Sequence, residues 1–407
     1  MEAASQVVKV RRSTDVYKNM RDSGMISKYY RMSAERLVCE KSIEGASPTE
    51  IFIGRYGYPK VFAGPMVPRE FGDTSVLSSP EMWRSMGIPQ IFEMRFKLIR
   101  GMFLTDVKRF GEDRRMDSIT ELAMADRPVD SEMRLARVSP YRKDKGDVVE
   151  PFGLSGILSS IGISNVSTDK KLESRYDDTD MRAADAVVDL YTRGVSVSKI
   201  SRALSAGTFG LGRHRKLVPT RWSITAVDDT ISKSILSEVK CMDTIDHIEI
   251  YNHVSLDNRW MIIVMPGRWE YESIEAWYPN TTWNENPNEI SIFSSAEGFD
   301  GKKGYAEIGG CYYAARLAVA EKLSRKMVQG RVLILREVHD GYVLPVGVWN
   351  VREHVREALE GKPILIDNEA GILDKISEMF DISEKEWIKN SIILKKLFLQ
   401  KRMVAYL

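Results

Sequence analysis

The side chains of this 407-residue sequence that could do chemistry are concentrated in glycine-rich stretches, and the first is GRYGYPKV, residues 54–61. Glycine allows a backbone to approach a ligand closely. Arg55 and Lys60 could hold a phosphate while the ring of Tyr56 or Tyr58 stacks on a base. The pattern therefore predicts a nucleotide-cofactor site formed by these four side chains. The alternative is a tight turn at a strand end whose tyrosines fill the core.

The second stretch, GLGRHRKLVPTRWSITAVDDTISK at residues 210–233, has the densest local positive charge. Fixed cations at this density suit a polyanion, because neutralisation of phosphates supplies most of the non-specific affinity for nucleic acid. The candidate DNA-binding residues are Arg213, Arg215 and Lys216. Arg221 is a candidate for cofactor binding and Asp229 for catalysis. The alternative is a solvated loop before a helix whose first turn has favourable carboxylates.

The third stretch, SSAEGFDGKKGYAEIGGCYYAARL at residues 294–317, is glycine-rich and leads into a helix. The free N–H groups at the start of a helix can bind an anion. Glu297 and Asp300 could act as general base or as metal ligands beside such an anion, and Arg316 could bind a cofactor. The alternative is that the glycines permit close packing of helix on strand and that the acids are solvated loop residues.

Composition limits the classes of protein that this chain can be. Lys and Arg number 59 against 57 for Asp and Glu, so a net charge of +2 gives no global attraction to nucleic acid. The three cysteines are far apart in sequence, which fits a reducing cytoplasm rather than a disulfide framework. The five histidines show no metal-ligand spacing, so no metal is predicted. Without a run of about 18 apolar residues, a soluble, cytoplasmic protein with no membrane contact is expected.

The elements that must position these stretches predict a mixed α+β fold. Three β-rich runs, IEIYNHV, RWMIIVMP and YESIEAWY, lie within residues 246–278 and precede a polar loop at 279–289. Strand and helix patterns alternate after that loop, which is typical of α/β structure. The sequence predicts a larger N-terminal α+β domain over 1–280 and a smaller C-terminal α/β domain over 289–399. The second domain ends in an amphipathic helix, SEKEWIKNSIILKKLFLQ.

A helical pair is predicted within DDTDMRAADAVVDLYTRGVSVSKISRALS, residues 177–205, with a break at Gly194. One interpretation is a DNA-binding helix-turn-helix that offers Lys199 and Arg202 to phosphates. The other is a helical hairpin with a structural role.

The chain stops on QKRMVAYL, residues 400–407, an apolar end where chain termini are normally solvated. Gln400, Met403, Tyr406 and Leu407 resemble the PCNA-interacting peptide, Gln-x-x-aliphatic-x-x-aromatic-aromatic, with Leu407 in place of the second aromatic. A 3₁₀ turn would put positions at i, i+3 spacing on one side. The alternative is burial of this end in the chain's own core.

Four long blocks resemble signature blocks of the archaeal Nre family of DNA repair proteins, and together they span residues 47–359. They are SPTEIFIGRYGYPKVFAGPMVP, KLVPTRWSITAVDDTISK, SSAEGFDGKKGYAEIGGCYYAARLAVAEKL and LPVGVWNVREHVREAL. The resemblance implies an N-terminal and a C-terminal family domain, a role in DNA damage repair, and a clamp-binding peptide at 400–407. Many relatives have an N-terminal four-cysteine zinc element, whereas this chain has only Cys39 in its first 240 residues, so zinc is not expected.

Two functional hypotheses follow from the blocks and the resemblance. In the first, a DNA repair protein recruited by the sliding clamp PCNA has a catalytic core that uses a nucleotide, NAD or ATP, for a nucleotidyl- or ADP-ribosyl-type transfer to DNA ends or damaged DNA. In the second, the protein is a non-catalytic adaptor that binds DNA and links PCNA to other repair factors. The first hypothesis predicts that six side chains converge on one pocket: Arg55, Lys60, Arg221, Glu297, Asp300 and Arg316.

Overall fold

The computed structural model describes the backbone of strand β1 (Val7–Lys9) and residues 41–108, 113–139, 151–279, 281, 283–284, 286–342 and 345–399. The chain divides into two compact units. The N-terminal unit comprises Arg21–Ile231 and Pro345–Trp349, and the C-terminal unit comprises Met1–Met20, Ser232–Leu344 and Asn350–Leu407. The loop at 279–289, where the sequence predicts the boundary between the two family domains, joins two paired strands of one sheet in the C-terminal unit. The predicted domain limits stay a prediction.

The N-terminal unit is built on a mixed β-sheet. Its strands are β2 (Ser42–Ser47), β3 (Ile51–Ile53), β4 (Lys60–Val67), β5 (Ile99–Asp106), β6 (Val129–Ser139) and β7 (Ser155–Ser164). They are ordered β2-β6-β7-β5-β4-β3, with β5 and β7 parallel. A Cβ atom on Gly64 of β4 would lie 1.6 Å from the carbonyl oxygen of Gly101 on β5, so only glycine allows this close pairing.

Helices accompany this sheet, and one of them contributes Met116, Ile119 and Leu122 to its apolar core. They are α1 (Ile88–Phe96), α2 (Arg114–Met124), α3 (Lys170–Asp177), α4 (Ala183–Thr192), α5 (Val197–Ser205) and α6 (Thr220–Val239), with short 3₁₀ turns at Ser75–Ser78, Pro80–Met82 and Gly212–His214. The Asp113 carboxylate caps α2 by accepting the Arg115 N–H at 2.9 Å. The predicted break between α4 and α5 falls at Gly194, whose φ of 80° suits glycine.

The C-terminal unit has a second mixed sheet. Its further strands are β8 (Ile248–Ser255), β9 (Asn258–Met265), β10 (Glu270–Trp277), β11 (Glu289–Glu297), β12 (Arg331–Val338) and β13 (Ile364–Ile366). The order is β1-β11-β10-β12-β9-β8-β13, and β10 and β12 are parallel. The helices of this unit are α7 (Gly310–Lys326), α8 (Trp349–Glu360), α9 (Ala370–Met379), α10 (Glu384–Asn390) and α11 (Ile392–Phe398). The prediction of an α+β fold is confirmed.

The predicted C-terminal amphipathic helix is broken in two at Ser391. The Ser391 hydroxyl oxygen accepts the Leu394 N–H at 2.9 Å and thereby caps α11. Glu272, on strand β10, accepts the Ile393 N–H at 2.9 Å and the Ser391 hydroxyl at 2.7 Å. The new start is therefore fixed by a carboxylate about 120 residues earlier, while Ile393 and Leu394 still pack into the core.

Candidate nucleic-acid interface

Two exposed aromatic rings meet on the N-terminal unit. The rings of Tyr58 and Trp222 lie 5.3 Å apart, although the side chains are 40% and 46% exposed. Trp222 lies in the first turn of α6, and the Ile53 N–H at the end of β3 donates to the Thr220 hydroxyl at 2.9 Å. That hydrogen bond brings the start of α6 to the GRYGYPKV turn. Exposed paired rings are a platform on which unpaired bases can stack.

Cations border this pair of rings. Arg55 donates to the Tyr56 hydroxyl at 3.2 Å, and its guanidinium lies 5.0 Å from the centre of the Tyr56 ring. Tyr56 is itself 64% exposed. Lys60, the first residue of β4, is exposed, whereas Arg221 beside Trp222 is half-buried. We call Arg55, Tyr56, Tyr58, Lys60 and Trp222 the aromatic surface, which combines exposed aromatic rings with positively charged side chains.

The same outward side of the sheet has further apolar side chains. Phe62 on β4 and Leu104 on β5 are directly opposite in the strand register, and both are exposed. Lys60 lies two residues before Phe62, and alternate residues of a strand share a face. Contiguous exposed apolar groups usually mark a binding surface. The sequence analysis missed Phe62, Leu104 and Trp222, although the aromatic residue in KLVPTRWS was a visible signal.

The basic stretch at 213–216 contains two kinds of cation. The Arg215 guanidinium donates to four backbone carbonyl groups, those of Tyr176 at 2.7 Å, Asp178 at 2.8 Å, Gly210 at 2.9 Å and Arg175 at 3.4 Å. Burial lowers the pKa of this guanidinium, which the nearby Tyr176 and Asp178 partly oppose. Arg213 and Lys216 are exposed. Arg215 therefore holds loops together, and its neighbours are the cations that solvent, and hence a phosphate, can reach.

The predicted helix-turn-helix has its cations engaged within the unit. Lys199 on α5 contacts the Asp169 carboxylate at 2.7 Å, and Arg202 donates to the Ser78 carbonyl at 2.6 Å. Arg202 also lies 3.3 Å from Glu50. These contacts favour the structural interpretation of the hairpin over DNA reading.

In the C-terminal unit, Glu297 and Arg316 bind each other. The Arg316 Nη1 atom lies 2.7 Å from the Glu297 Oε2 atom, and each side chain is 1% exposed. Trp269 donates its Nε1–H to Glu297 at 3.0 Å, and Arg316 donates to the Ser232 hydroxyl at 3.0 Å. Removal of either partner of a buried ion pair would leave an uncompensated charge, so the two side chains depend on each other. Substrate access to either residue would require this network to open.

The other two predicted catalytic residues are not members of that ion pair. Asp300 is exposed in the turn after β11, where Lys240 donates to the Phe299 carbonyl at 2.6 Å. Burial lowers the pKa of Lys240, and Glu297 and Asp300 oppose that shift. Asp229 is half-buried on α6, whereas Asp228 is fully buried. Adjacent acids on a helix point in different directions, as expected.

The six side chains predicted to converge are divided between the two units. Arg55, Lys60 and Arg221 belong to the N-terminal unit, and Glu297, Asp300 and Arg316 belong to the C-terminal unit. Their convergence on one pocket stays a prediction. The predicted clamp-binding residues Gln400, Met403, Tyr406 and Leu407 lie outside the described residues. Among the residues that the structure describes, no helix is both long and apolar enough to cross a membrane.

Sequence comparison identifies the class of protein that has this fold and surface. Residues 23–284 match the family profile of the archaeal Nre N-terminal domain, and residues 297–406 match that of the archaeal Nre C-terminal domain. The chain therefore belongs to the archaeal Nre family, and the predicted resemblance is confirmed.

Characterised relatives resemble the chain over most of its length. DNA repair protein NreB of Archaeoglobus fulgidus is 40% identical over 90% of this chain and 95% of its own length. DNA repair protein NreA of the same organism is 35% identical over 88% of this chain and 90% of its own. DNA repair protein NreA of Haloferax volcanii is 36% identical over 81% of this chain and 80% of its own length. No solved structure matches the chain.

Proposed function

We propose that this chain is a DNA repair protein that binds unpaired nucleotides of DNA on the aromatic surface. The names of the relatives support the role in repair. The exposed contact between Tyr58 and Trp222 is the observation that supports the DNA contact. Water-exposed rings gain by stacking on bases, which damaged DNA presents more readily than an intact duplex.

The aromatic surface can hold both parts of a nucleotide. Stacking on a ring contributes about 1–3 kcal/mol per base with little preference for sequence, because every base has a π face. Arg55 and Lys60 supply charge for the phosphates on either side, and exposed Arg213 and Lys216 add local positive charge elsewhere in the unit. Binding should therefore favour single-stranded DNA, tolerate sequence changes and weaken as salt rises.

Removal of the ring pair tests this proposal. The Tyr58→Ala, Trp222→Ala double variant should bind a fluorescent single-stranded oligonucleotide at least about tenfold more weakly, by the free energy of one or two stacked bases. Phe71→Ala is the matched control, because Phe71 is an exposed ring of the same unit outside the aromatic surface. Equal affinity of the double variant and the control would place the DNA-binding surface elsewhere.

The salt dependence of DNA binding distinguishes the exposed cations of the basic stretch from the one that is bound to backbone carbonyl groups. Changing Arg213 and Lys216 to Ala should reduce the slope of log affinity against log salt by about one for each phosphate that is no longer neutralised. Arg215→Ala is the comparison, because its guanidinium is occupied by backbone carbonyl groups. Arg215→Ala should lower the melting temperature and leave the slope nearly unchanged. An unchanged slope in the first variant would remove this stretch from the interface.

The proposal includes recruitment by the PCNA sliding clamp through residues 400–407. Helix α11 precedes them and is anchored by buried Ile393 and Leu394. Deletion of 400–407, or Met403→Ala with Tyr406→Ala, should abolish clamp binding and leave the melting temperature nearly unchanged. A drop of several degrees on deletion would show that the end belongs to the core. Clamp binding that survived deletion would show that the Gln400 pattern is coincidental.

A catalytic core that uses NAD or ATP stays a separate prediction within the same cytoplasmic repair role. The predicted groups are Glu297, Asp300 and Asp229, with Arg55, Lys60, Arg221 and Arg316 as nucleotide ligands. Binding of NAD or ATP to the purified protein, abolished by changing Arg55 and Lys60 to Ala, would support the enzyme. DNA binding without nucleotide binding would support the adaptor.

A further inference from the structure

Two histidines and a glutamate from distant parts of the sequence meet in the C-terminal unit. His253 lies on β8, and His354 and Glu357 lie on α8. The His253 Nε2 atom is 3.3 Å from His354 Nδ1, and Glu357 Oε2 is 3.3 Å from His354 Nδ1 and 3.6 Å from His253 Nε2. The three atoms form a nearly equilateral triangle. The two imidazole rings are stacked, with centres 5.2 Å apart.

The size of this triangle fits one face of a zinc tetrahedron. Zinc binds imidazole nitrogen and carboxylate oxygen at about 2.0–2.2 Å, so two ligand atoms of a tetrahedral site are about 3.3–3.6 Å apart. The three measured separations fall within that range. Two imidazoles and one carboxylate are also a ligand set that zinc commonly takes, with the fourth position left to water.

The position of the three residues in the fold suits a metal ion. His354 and Glu357 are three residues apart on α8 and therefore share a helix face. His354 is fully buried, whereas the Glu357 side chain is 38% exposed, which leaves a route from solvent.

A second group of possible ligands, Glu337, His339 and Asp381, provides an internal contrast. There the Arg259 guanidinium lies 2.7 Å from Asp381 and 3.9 Å from Glu337, and Glu337 accepts the Ile382 N–H at 2.9 Å. A fixed cation and a backbone donor already balance these carboxylates.

We propose that His253, His354 and Glu357 bind one Zn²⁺ ion, with water as the fourth ligand. The ion joins helix α8 to strand β8, and it is distinct from the four-cysteine element of other family members. The two histidines are 101 residues apart in sequence, so their spacing does not predict a metal site. The packing of α8 against the end of β8 brings them together.

Metal content of the purified full-length chain tests the site. After incubation with Zn²⁺ and gel filtration, the unaltered protein should retain one zinc per chain, and Co²⁺ in its place should give the visible bands of a tetrahedral complex. Glu357→Gln and His253→Gln should each lose that equivalent. Glu357→Gln is a mild change at a half-exposed position, so its loss of zinc cannot come from unfolding.

Two control variants make the result decisive. His214→Gln changes an exposed histidine of the other unit, and His339→Gln changes the contrasting group; both should keep one zinc. Retention of zinc by both His253→Gln and Glu357→Gln would overturn the proposal, as would its loss only in His339→Gln. A protein that retained no zinc and gave no cobalt bands would likewise overturn the proposal.

Discussion

The two faces of the sheet in the C-terminal unit bury very different side chains, although the same strands supply both. On one face, Leu335, Ile274 and Met261 form an apolar core with helices α9–α11. On the other face, α7 and α8 cover aromatic and charged groups, as in the contacts of Tyr312 with Tyr271 and of His354 with His253. Leu335 and Arg336 are neighbours in sequence and point to opposite faces. One strand therefore joins an apolar core to a polar one.

The two faces also differ in how they satisfy buried carboxylates. On the apolar face, Glu272 and Glu337 accept backbone N–H groups where the chain enters α11 and leaves α9. On the polar face, Glu275 binds Arg336 at 2.8 Å and Glu297 binds Arg316 at 2.7 Å. Loss of volume should dominate mutations on the apolar face, and loss of a charge partner should dominate on the polar face.

The polar face also forms an ordered row. His253, Trp260, Arg336 and Glu275 are successive partners across strands β8, β9, β12 and β10. The Arg336 guanidinium lies 4.5 Å from the centre of the Trp260 ring and donates to Asn258 at 2.9 Å. The proposed zinc ligand His253 is the end of this row. The row therefore ends on β8, which is next to the edge strand β13 in the sheet.

The largest expected effect is removal of the arginine from that row. Arg336→Met leaves Glu275 buried with the Trp277 Nε1–H as a hydrogen-bond donor. An unpaired buried charge costs about 3–5 kcal/mol, so urea-induced unfolding should show a loss of that size. In the Arg336→Met, Glu275→Met double variant most of the loss should be recovered, because neither charge remains. A single variant within about 1 kcal/mol of the unaltered protein would show that the pair is not needed.

A smaller loss is expected from the neighbouring residue on the apolar face. Leu335→Ala removes buried methyl groups and should lower the free energy of unfolding by about 3 kcal/mol. No charge is involved, so the loss should be the same at neutral and mildly acidic pH. Restoration to Ile or Met should recover most of it, because volume is what the face requires. A strong pH dependence of the Leu335→Ala loss would contradict the division between the faces.

Local patterns in the sequence predicted most elements of this sheet. Alternating β-rich runs located β8, β9 and β10, and YYAARLAVAEKLSRK located α7. Local patterning could not predict the break at Ser391, because Glu272 on β10 causes it. Local patterning also could not show that the polar loop at 279–289 joins two strands that pair with each other.

The candidate sites were predicted less completely than the fold. The GRYGYPKV turn was identified, but its partner Trp222 is about 160 residues away and is brought there by the bond from Ile53 to Thr220. Glu297 and Arg316 were selected for chemistry, although the structure pairs them with each other. Residue type indicates what a side chain can bind, whereas long-range packing decides what it does bind.

The smallest expected effect concerns Glu249, which lies on the polar face beside Tyr251. Burial would raise the pKa of Glu249, but contacts from Lys326, from His247 at 2.9 Å and from Tyr251 at 2.8 Å hold it below its usual value. A carboxylate whose pKa is lowered by folding stabilises the protein above its unfolded pKa of about 4.3. That stabilisation is lost as the pH falls through the folded pKa.

Glu249→Gln should therefore cost about 1–2 kcal/mol at about pH 5.5 and progressively less below about pH 4. At about pH 5.5 the partner His247 is charged, because its hydrogen bonds to Asp246 and Glu249 raise its pKa. Urea-induced unfolding at both pH values measures the change, with Leu335→Ala as the pH-independent control. If the loss of stability in Glu249→Gln stayed constant on acidification, the shape of this side chain, and not its charge, would be what stabilises the protein. Packing would then decide the effect of mutations on the polar face, as it does on the apolar face.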